Sequence, residues 1–329
     1  MFSQDNSSSF FITSLPNEVL KIILQAVNWK TIYNIRLVSK FFNSFVIRHM
    51  DSLPKPRLMG LNISSFELND GTIICSYKLI NSIKTISVEN FHFPSQNNKI
   101  ENLIQYLQKM DLTNVLSINI NTTGKTIIFD TLNYYFKTQT KVYFLKLFID
   151  RNPSFKDFSI FIQKMKYVTH LDISKICFHN QNVPENYTIP MIGDMRNLAI
   201  YECECTHFVN STMINNFFSN NKELYKMDIL SKCFNFEDQL VKSMINRQSI
   251  CTGKKNCHNN YFVSFPHQNA FEAYTDVKNF FPCETYNVVH DRKKVGRFNA
   301  YKKCDKCDST KCITFQYYKS YSRQNEANR

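Results

Sequence analysis

The sequence predicts an α/β fold in which an N-terminal three-helix module leads into a strand-and-helix solenoid closed by a C-terminal cap. Apolar residues fall at helical spacing through residues 14–45, and an apolar-x-x-apolar-x-apolar pattern returns in six copies from residue 83 onward. Past residue 249 that pattern yields to polar, aromatic and basic sequence. The chain divides accordingly into an N-terminal tail at 1–11, the helical module at 12–50, a connecting segment at 51–82, the solenoid at 83–249 and a basic cap and tail at 250–329. With 329 residues, 43% of them hydrophobic, a packed core is expected.

Composition narrows the class. Glycine at 6 and proline at 9, against abundant Ile, Leu and Phe, argue against disorder and collagen-like sequence, and neither G-x-G-x-x-G nor a phosphate-binding loop occurs. The amino terminus, MFSQDNSSSFFIT, lacks a basic stretch leading into a long apolar one. No apolar run approaches the ~20 residues needed to span a bilayer. A soluble protein of the cytoplasm or nucleus with no membrane partner is therefore expected. The 11 cysteines are odd in number and scattered, which reads as reduced thiols, with Cys75, Cys177 and Cys233 set in apolar patterns as small hydrophobes. Subtracting 27 acidic from 40 basic residues leaves +13, and residues 250–329 carry 14 Lys and Arg against 7 Asp and Glu, a net +7. Such a surplus suits an acidic partner or a lysine-rich solvated surface.

In the helical module, Ser14 stands where an N-cap belongs, with Leu15-Pro16 in the first turn and Glu18 near the positive end of the helix dipole. Val19, Leu20, Ile23, Leu24 and Val27 then form an apolar face. Thr31 offers a second cap, ahead of Ile32, Ile35, Leu37 and Val38, and Phe41-Phe42 follow Lys40. Leu-Pro-x-Glu-Val-Leu-x-x-Ile-Leu, a short gap, and Ile-Arg-Leu-Val-Ser-Lys-x-Phe-x-x-Phe resemble the F-box over residues 14–46, with Lys30-Thr31 replacing the family's usual acidic residue. The resemblance implies docking on the Skp1 adaptor, and through it on cullin and RING subunits of a ubiquitin ligase, with no catalytic residue in this chain. By motif position it assigns Leu15, Pro16, Val19, Leu20, Ile23, Leu24, Ile32, Ile35, Leu37 and Val38 to adaptor contact and to the module's own core, without dividing them between the two.

The six copies are Ile83-Ile86-Val88, Val115-Ile118-Ile120, Val142-Leu145-Leu147, Val168-Leu171-Ile173, Met195-Leu198-Ile200 and Leu224-Met227-Ile229, their central residues 32, 27, 26, 27 and 29 positions apart. Between them, Ile100-Leu103-Ile104-Leu107, Phe155-Phe158-Phe161-Ile162-Met165 and Met213-Ile214-Phe217-Phe218 have helical spacing. The array looks like a degenerate leucine-rich-repeat domain, in which stacked units bury one another's apolar faces; an ordinary α/β domain of alternating strands and helices is the other reading. Residues between the apolar positions line one concave face: Ser117, Asn119, Lys146, His170, Asp172, Ala199, Tyr201, Lys226 and Asp228. Of these His170, Asp172, Tyr201, Lys226 and Asp228 are the candidates for binding a protein substrate, and each alone also reads as a solvated side chain.

In the cap, Ala270-Phe271-Tyr274-Val277-Phe280-Phe281 reads as a final helix, and Tyr286-Val288 and Ile313-Phe315-Tyr317 as short strands. Cys304-Asp305-Lys306-Cys307, followed by Cys312, has zinc-ligand spacing, with Cys283, His290, Cys257 or His258 available to complete four ligands; a pair of reduced thiols is the alternative. Lys293, Lys294, Arg297, Lys302, Lys303, Lys306 and Lys311 form the densest basic stretch, yet no nucleic-acid module accompanies them, so a nucleic-acid partner is not expected. Taken together, the sequence leads to a non-catalytic substrate receptor of a Skp1-cullin-F-box ligase for an unspecified protein target. The alternative is an F-box and leucine-rich-repeat scaffold that transfers no ubiquitin. No cofactor beyond a structural zinc is expected.

Overall fold

A computed structural model of the chain describes residues 12–319 apart from 94, 152, 180, 232–236, 250, 252–259, 268–269, 282–285, 292–293 and 295. It opens with a 3-10 turn (Ile12–Ser14) and three helices, α1 (Asn17–Ala26), α2 (Trp29–Val38) and α3 (Lys40–His49), followed by a second 3-10 turn, Met50–Ser52. Ser14 is not the cap of α1. Proline disfavours a helical conformation at the residue before it, so Leu15 cannot start the helix. The first turn instead closes on Pro16, whose carbonyl accepts from the Leu20 N–H at 3.0 Å. Asn28, rather than Thr31, caps α2: its Oδ1 accepts from Thr31 N at 3.0 Å and from the Thr31 hydroxyl at 3.3 Å. Ser39 ends α2 and caps α3 through Phe42 N at 3.2 Å, while Arg36 Nε donates across the junction to Asn43 Oδ1 at 3.1 Å.

The remaining elements, in chain order, are β1 (Leu58–Glu67), β2 (Ile73–Asn81), β3 (Thr85–Phe93), α4 (Asn97–Gln108), β4 (Asn114–Thr123), α5 (Ile128–Tyr135), β5 (Lys141–Asp150), α6 (Phe155–Lys164), β6 (Tyr167–Ile176), β7 (Asn197–Glu202), α7 (Ser211–Asn220), β8 (Lys226–Leu230), α8 (Glu237–Ser249), β9 (Tyr261–His267), α9 (Ala270–Phe280), β10 (Asn287–His290), β11 (Arg297–Lys303) and β12 (Thr310–Lys319). The strands form one 12-stranded sheet in the order β10-β11-β12-β9-β8-β7-β6-β5-β4-β1-β2-β3. From β1 through β4 to β9 and on to β12 every neighbour is parallel; β2 and β3 at one end, and β11 and β10 at the other, are antiparallel. The protein is thus α/β, with an N-terminal helix cluster followed by a large, mostly parallel sheet.

The repeat pattern is read out directly in the register. Leu61, Ile118, Leu145, Leu171, Leu198, Met227, Val263 and Phe315 sit side by side across eight parallel strands, none more than 1% exposed. Two residues on, Ile63, Ile120, Leu147, Ile173, Ile200 and Ile229 form a second buried row. The row begins earlier than the copy at Ile83 suggests. Ile83 lies exposed in the β2–β3 turn and Ile86 in β3, which among the described residues pairs only with β2, antiparallel, whereas Leu58-Leu61-Ile63 on β1 is the copy that adjoins β4. The 51–82 segment therefore contributes two strands to the sheet.

Parallel neighbours need crossovers, and crossovers of one hand between strands added in one direction lie on one face. Helices α4 and α5, α5 and α6, α7 and α8, and α8 and α9 accordingly touch in succession. Side chains facing them are buried, while Lys141, Tyr143 and Lys146 on the opposite face of β5 stay exposed. Local signals fit these helices: Ser154 caps α6 through Asp157 N at 3.2 Å, and Asn210 caps α7 through Met213 N at 2.8 Å. The 177–196 connection from β6 to β7 has no helix among its described residues; Phe178 and Tyr187 fill the space, with rings 5.2 and 5.1 Å from Phe155. At the outer end, β3 places Glu89 and Asn90 opposite Ser76 alone, a bulge with Asn90 at φ 43°. Among the described residues no helix is long and apolar enough to cross a membrane.

Leu171→Ala removes a side chain from the centre of the buried row and is expected to cost about 2–5 kcal/mol. Ile83→Ala, in the exposed turn, should stay within about 0.5 kcal/mol of the parent. Urea unfolding of the two variants checks the assignment, and equal losses would contradict it.

Candidate functional site

Two surfaces and two thiol clusters concentrate the chemistry. The first surface is the helix cluster. Leu20, Leu24 and Ile32 are buried with Phe42, Phe45, Val46 and Leu53 in a core separate from that of the sheet, and Leu15, Val27 and Ile35 pack partly against it. Leu37 and Val38, at the end of α2, are 79% and 72% exposed; Ile22 is 66% exposed, and Val19, Ile23 and Pro16 also face solvent. Of the nineteen large hydrophobic side chains exposed among the described residues, nine fall between Ile12 and Ile47. Ile22, Tyr33 and Ile47 belong to this set and were not singled out by sequence motif; their alternation with the buried Leu20, Leu24, Ile32 and Val46 is the signal that marks them. The cluster is tied to the sheet through the 54–57 linker, where Asp111 N donates to Pro56 O at 2.9 Å and Lys55 Nζ to Gln108 O at 2.7 Å.

The second surface is the open face of the sheet, where strand register brings the sequence candidates into two rows. Phe144, His170, Asn197, Lys226 and Phe262 are lateral neighbours in one; Lys146, Asp172, Ala199, Asp228 and Ser264 in the other. His170 stacks on Phe144 at 4.7 Å and meets Tyr143 edge-on at 5.0 Å. Asn197 Nδ2 lies 2.8 Å from His170 Nδ1. Burial, with the nearby Arg196 charge adding to it, holds the His170 pKa below its ordinary value. Asp172 pairs with Lys146 at 3.6 Å rather than with His170. Asp228 accepts from the Tyr201 hydroxyl at 2.6 Å and from the Ser264 hydroxyl. Lys226 Nζ and the Arg297 guanidinium lie 5.7 and 5.6 Å from the Phe262 ring centroid. The result is an aromatic island, exposed at Tyr143 and Phe144 and half-buried at His170, bordered by cations and laterally bonded carboxylates. Tyr143 and Phe144 carry no motif in the sequence, although a double aromatic between apolar positions sets the β5 copy apart from the others.

Among the described residues, six cysteines gather in two groups. Cys304 and Cys307 lie with Cys251, all three ligand atoms within 4.8 Å of one another. The turn that holds the first two is closed by Cys304 N to Ser309 O at 2.9 Å and Asp308 N to Cys304 O at 3.0 Å, with Asp308 at φ 57°. Cys312 is not part of this group: it lies within β12, paired in register with Tyr301, because the chain has already turned back into the sheet. His290 lies on β10 with its ring 5.3 Å from Phe298, and Cys257, His258, Cys283 and Lys293 fall outside the described residues. The second group, Cys177, Cys203 and Cys205, also lies within 4.8 Å. Burial, with hydrogen bonds to Cys203 and Cys205 adding to it, pushes Cys177 up to about 12. For Cys203 burial acts upward too, but hydrogen bonds with Cys177, Cys205 and Thr206 outweigh it and lower the pKa. In the basic stretch, Arg297 pairs with Asp291 at 3.7 Å and Lys303 with Asp308 at 2.9 Å, so part of its charge is already met.

Compared with models of known families, with curated proteins and with solved structures, the chain matches none.

His170 gives a pH test of the open face. Its folded pKa is depressed, so as pH falls through the ordinary histidine value of 6.5 the unfolded chain takes up a proton that the folded chain resists, and stability declines. His170→Asn should lose that increment of pH dependence, and the His170 ring signal in a nuclear magnetic resonance titration should show a midpoint below 6.5. A midpoint at or above that value would contradict the stacked, neutral ring.

Proposed function

We propose that the chain is the substrate-recognition subunit of a Skp1-cullin-F-box ubiquitin ligase, docking on Skp1 through the N-terminal helices and presenting the open sheet face to a protein target. The observation that carries this reading is the exposure of Leu37 and Val38 on a helix cluster that has its own small core. Side chains of this size left in water lose roughly 1.5–3 kcal/mol each that burial would supply, and large exposed apolar surface marks interaction sites. On this reading Leu20, Leu24 and Ile32, with Leu15 and Ile35, hold the module together, while Pro16, Val19, Ile23, Leu37 and Val38 meet the adaptor. The target is gripped by Tyr143, Phe144 and His170, with Asp172, Tyr201, Lys226 and Asp228 supplying polar definition around them. The chain contributes proximity and not chemistry: it holds a lysine-bearing target near ubiquitin carried by the associated machinery. Cullin and RING subunits recovered with the chain favour the ligase reading; the adaptor alone favours a scaffold.

The cap carries a finer proposal, that Cys251, Cys304 and Cys307 form a structural zinc site. It is supported by the convergence of the three thiols and the Cys-x-x-Cys turn.

Purified Skp1 should bind the wild-type chain, and Leu37→Asp/Val38→Asp should weaken that binding about 100-fold or more with the circular dichroism spectrum unchanged. Failure of the wild type to bind, or equal binding by the variant, would refute the docking role. Metal analysis of Cys304→Ser/Cys307→Ser should show one equivalent of zinc fewer than the wild type; equal content would remove the cap site.

A further inference from the structure

Cys177 follows the last residue of β6, and Cys203 and Cys205 follow the end of β7. The sheet itself aims them at one another. Cys177 N donates to Ile149 O at 2.9 Å and Cys203 N to Ile176 O at 3.0 Å, so the parallel ladder runs one residue past each strand and sets the two chain ends side by side. The loop that carries Cys203 and Cys205 is folded back by the buried Glu202 carboxylate, which accepts from Phe208 N and Val209 N at 2.9 Å each and from the Ser231 hydroxyl at 2.5 Å. Thr206 Oγ1 locks the loop to the neighbouring strand end by accepting from Phe178 N at 2.9 Å. Within this frame Cys205 Sγ lies 3.4 Å from Cys177 Sγ and 2.8 Å from Cys203 Sγ.

We propose that Cys177, Cys203 and Cys205 bind a zinc ion at the ends of β6 and β7, with water or the imidazole of His179 or His207 as the fourth ligand. Three sulfur ligands are the donor set of a soft or borderline metal, and magnesium or calcium would need oxygens in their place. Tetrahedral zinc with bonds of about 2.3 Å sets sulfurs about 3.8 Å apart, a spacing that small side-chain rotations reach from the observed separations. Access is open from one side, because Cys177 is buried, Cys203 half-buried and Cys205 exposed. His179 and His207 each lie two residues from a thiol and are exposed. On binding, the thiols give up their protons to solvent and bind as thiolates, so affinity falls as pH is lowered.

The site has a structural purpose at this point in the sheet. The β6–β7 connection lacks a helix among its described residues, and a metal joining Cys177 to Cys203 and Cys205 ties its start to the loop beyond β7. It differs from the cap cluster in every ligand, so either site can fail without the other.

The test uses the full chain purified under a reducing agent and without chelator. In the Cys304→Ser/Cys307→Ser background, metal analysis should still find one equivalent of zinc, lost when Cys177→Ser and Cys205→Ser are added. Cobalt substituted into the same background should give the intense visible bands of a tetrahedral ion together with a near-ultraviolet thiolate charge-transfer band. Cys205→Ala alone, at the exposed position, guards against a folding defect: it should remove about one-third of that charge-transfer intensity while the thermal transition of the metal-free protein is unchanged. Unaltered zinc content after removal of Cys177 and Cys205 would overturn the proposal. So would a background protein that folds like wild type and holds no zinc.

Discussion

The lateral register of the parallel strands is the constraint on which the rest of the molecule depends. Eight consecutive apolar residues, from Leu61 to Phe315, must lie in line for any one of them to be buried, because the side-chain period in a strand is two and a slip of one residue would turn a whole row into water. Once the row is aligned, the chain has little choice. Each parallel step demands a return path, the paths share one face, and the opposite face is left for whatever side chains lie between the buried positions. The polar and aromatic chemistry of the open face is therefore a by-product of the same periodicity that builds the core. His170, Asp172 and Asp228 are neighbours of Phe144, Lys146 and Ser264 because Leu171 and Met227 are neighbours of Leu145 and Val263.

The helix cluster obeys a different logic. With seven buried residues in its core, it sits at the size where a separate domain struggles to stabilise itself, yet it leaves Leu37 and Val38 in solvent. A segment this small has few ways to improve its own packing, and in the proposed docking, completing its surface on the adaptor serves both stability and association. The two cores are joined by a short linker whose backbone is pinned to Asp111, which gives the helices a defined attachment to the sheet.

Much of the middle of the chain was legible because burial imposed a regular pattern: the copies from Val115 to Ile229 fall in adjacent strands with their central residues aligned. The pattern misled at its start. Ile83-Ile86-Val88 has the right polarity but ends an antiparallel meander, and polarity alone does not distinguish parallel from antiparallel pairing. Local signals leave a helix start ambiguous where the sequence offers two hydroxyl or amide caps in succession, as at Asn28 and Thr31, or where a proline excludes its predecessor. The thiol groupings were the least legible. Cys304 and Cys307 are close in sequence, whereas Cys251 joins them, and Cys177 meets Cys203 and Cys205, only through strand order and loop folding. The aromatic island was hidden for a related reason: Tyr143 and Phe144 look like core residues until the register places them on the open side.

The bulge at Glu89 and Asn90 has a consequence for the protein in bulk solution. A long parallel sheet built by adding one unit after another has no intrinsic reason to stop, and an exposed final strand is a template for the next chain. Here the outermost strand at one end is kinked by a left-handed Asn90, and at the other end β10 is four residues long. Both ends reverse direction before they finish, so a second copy approaching either rim meets an interrupted or very short row of backbone donors and acceptors. The array is closed off by the geometry of its outer strands as much as by the fading of its repeat.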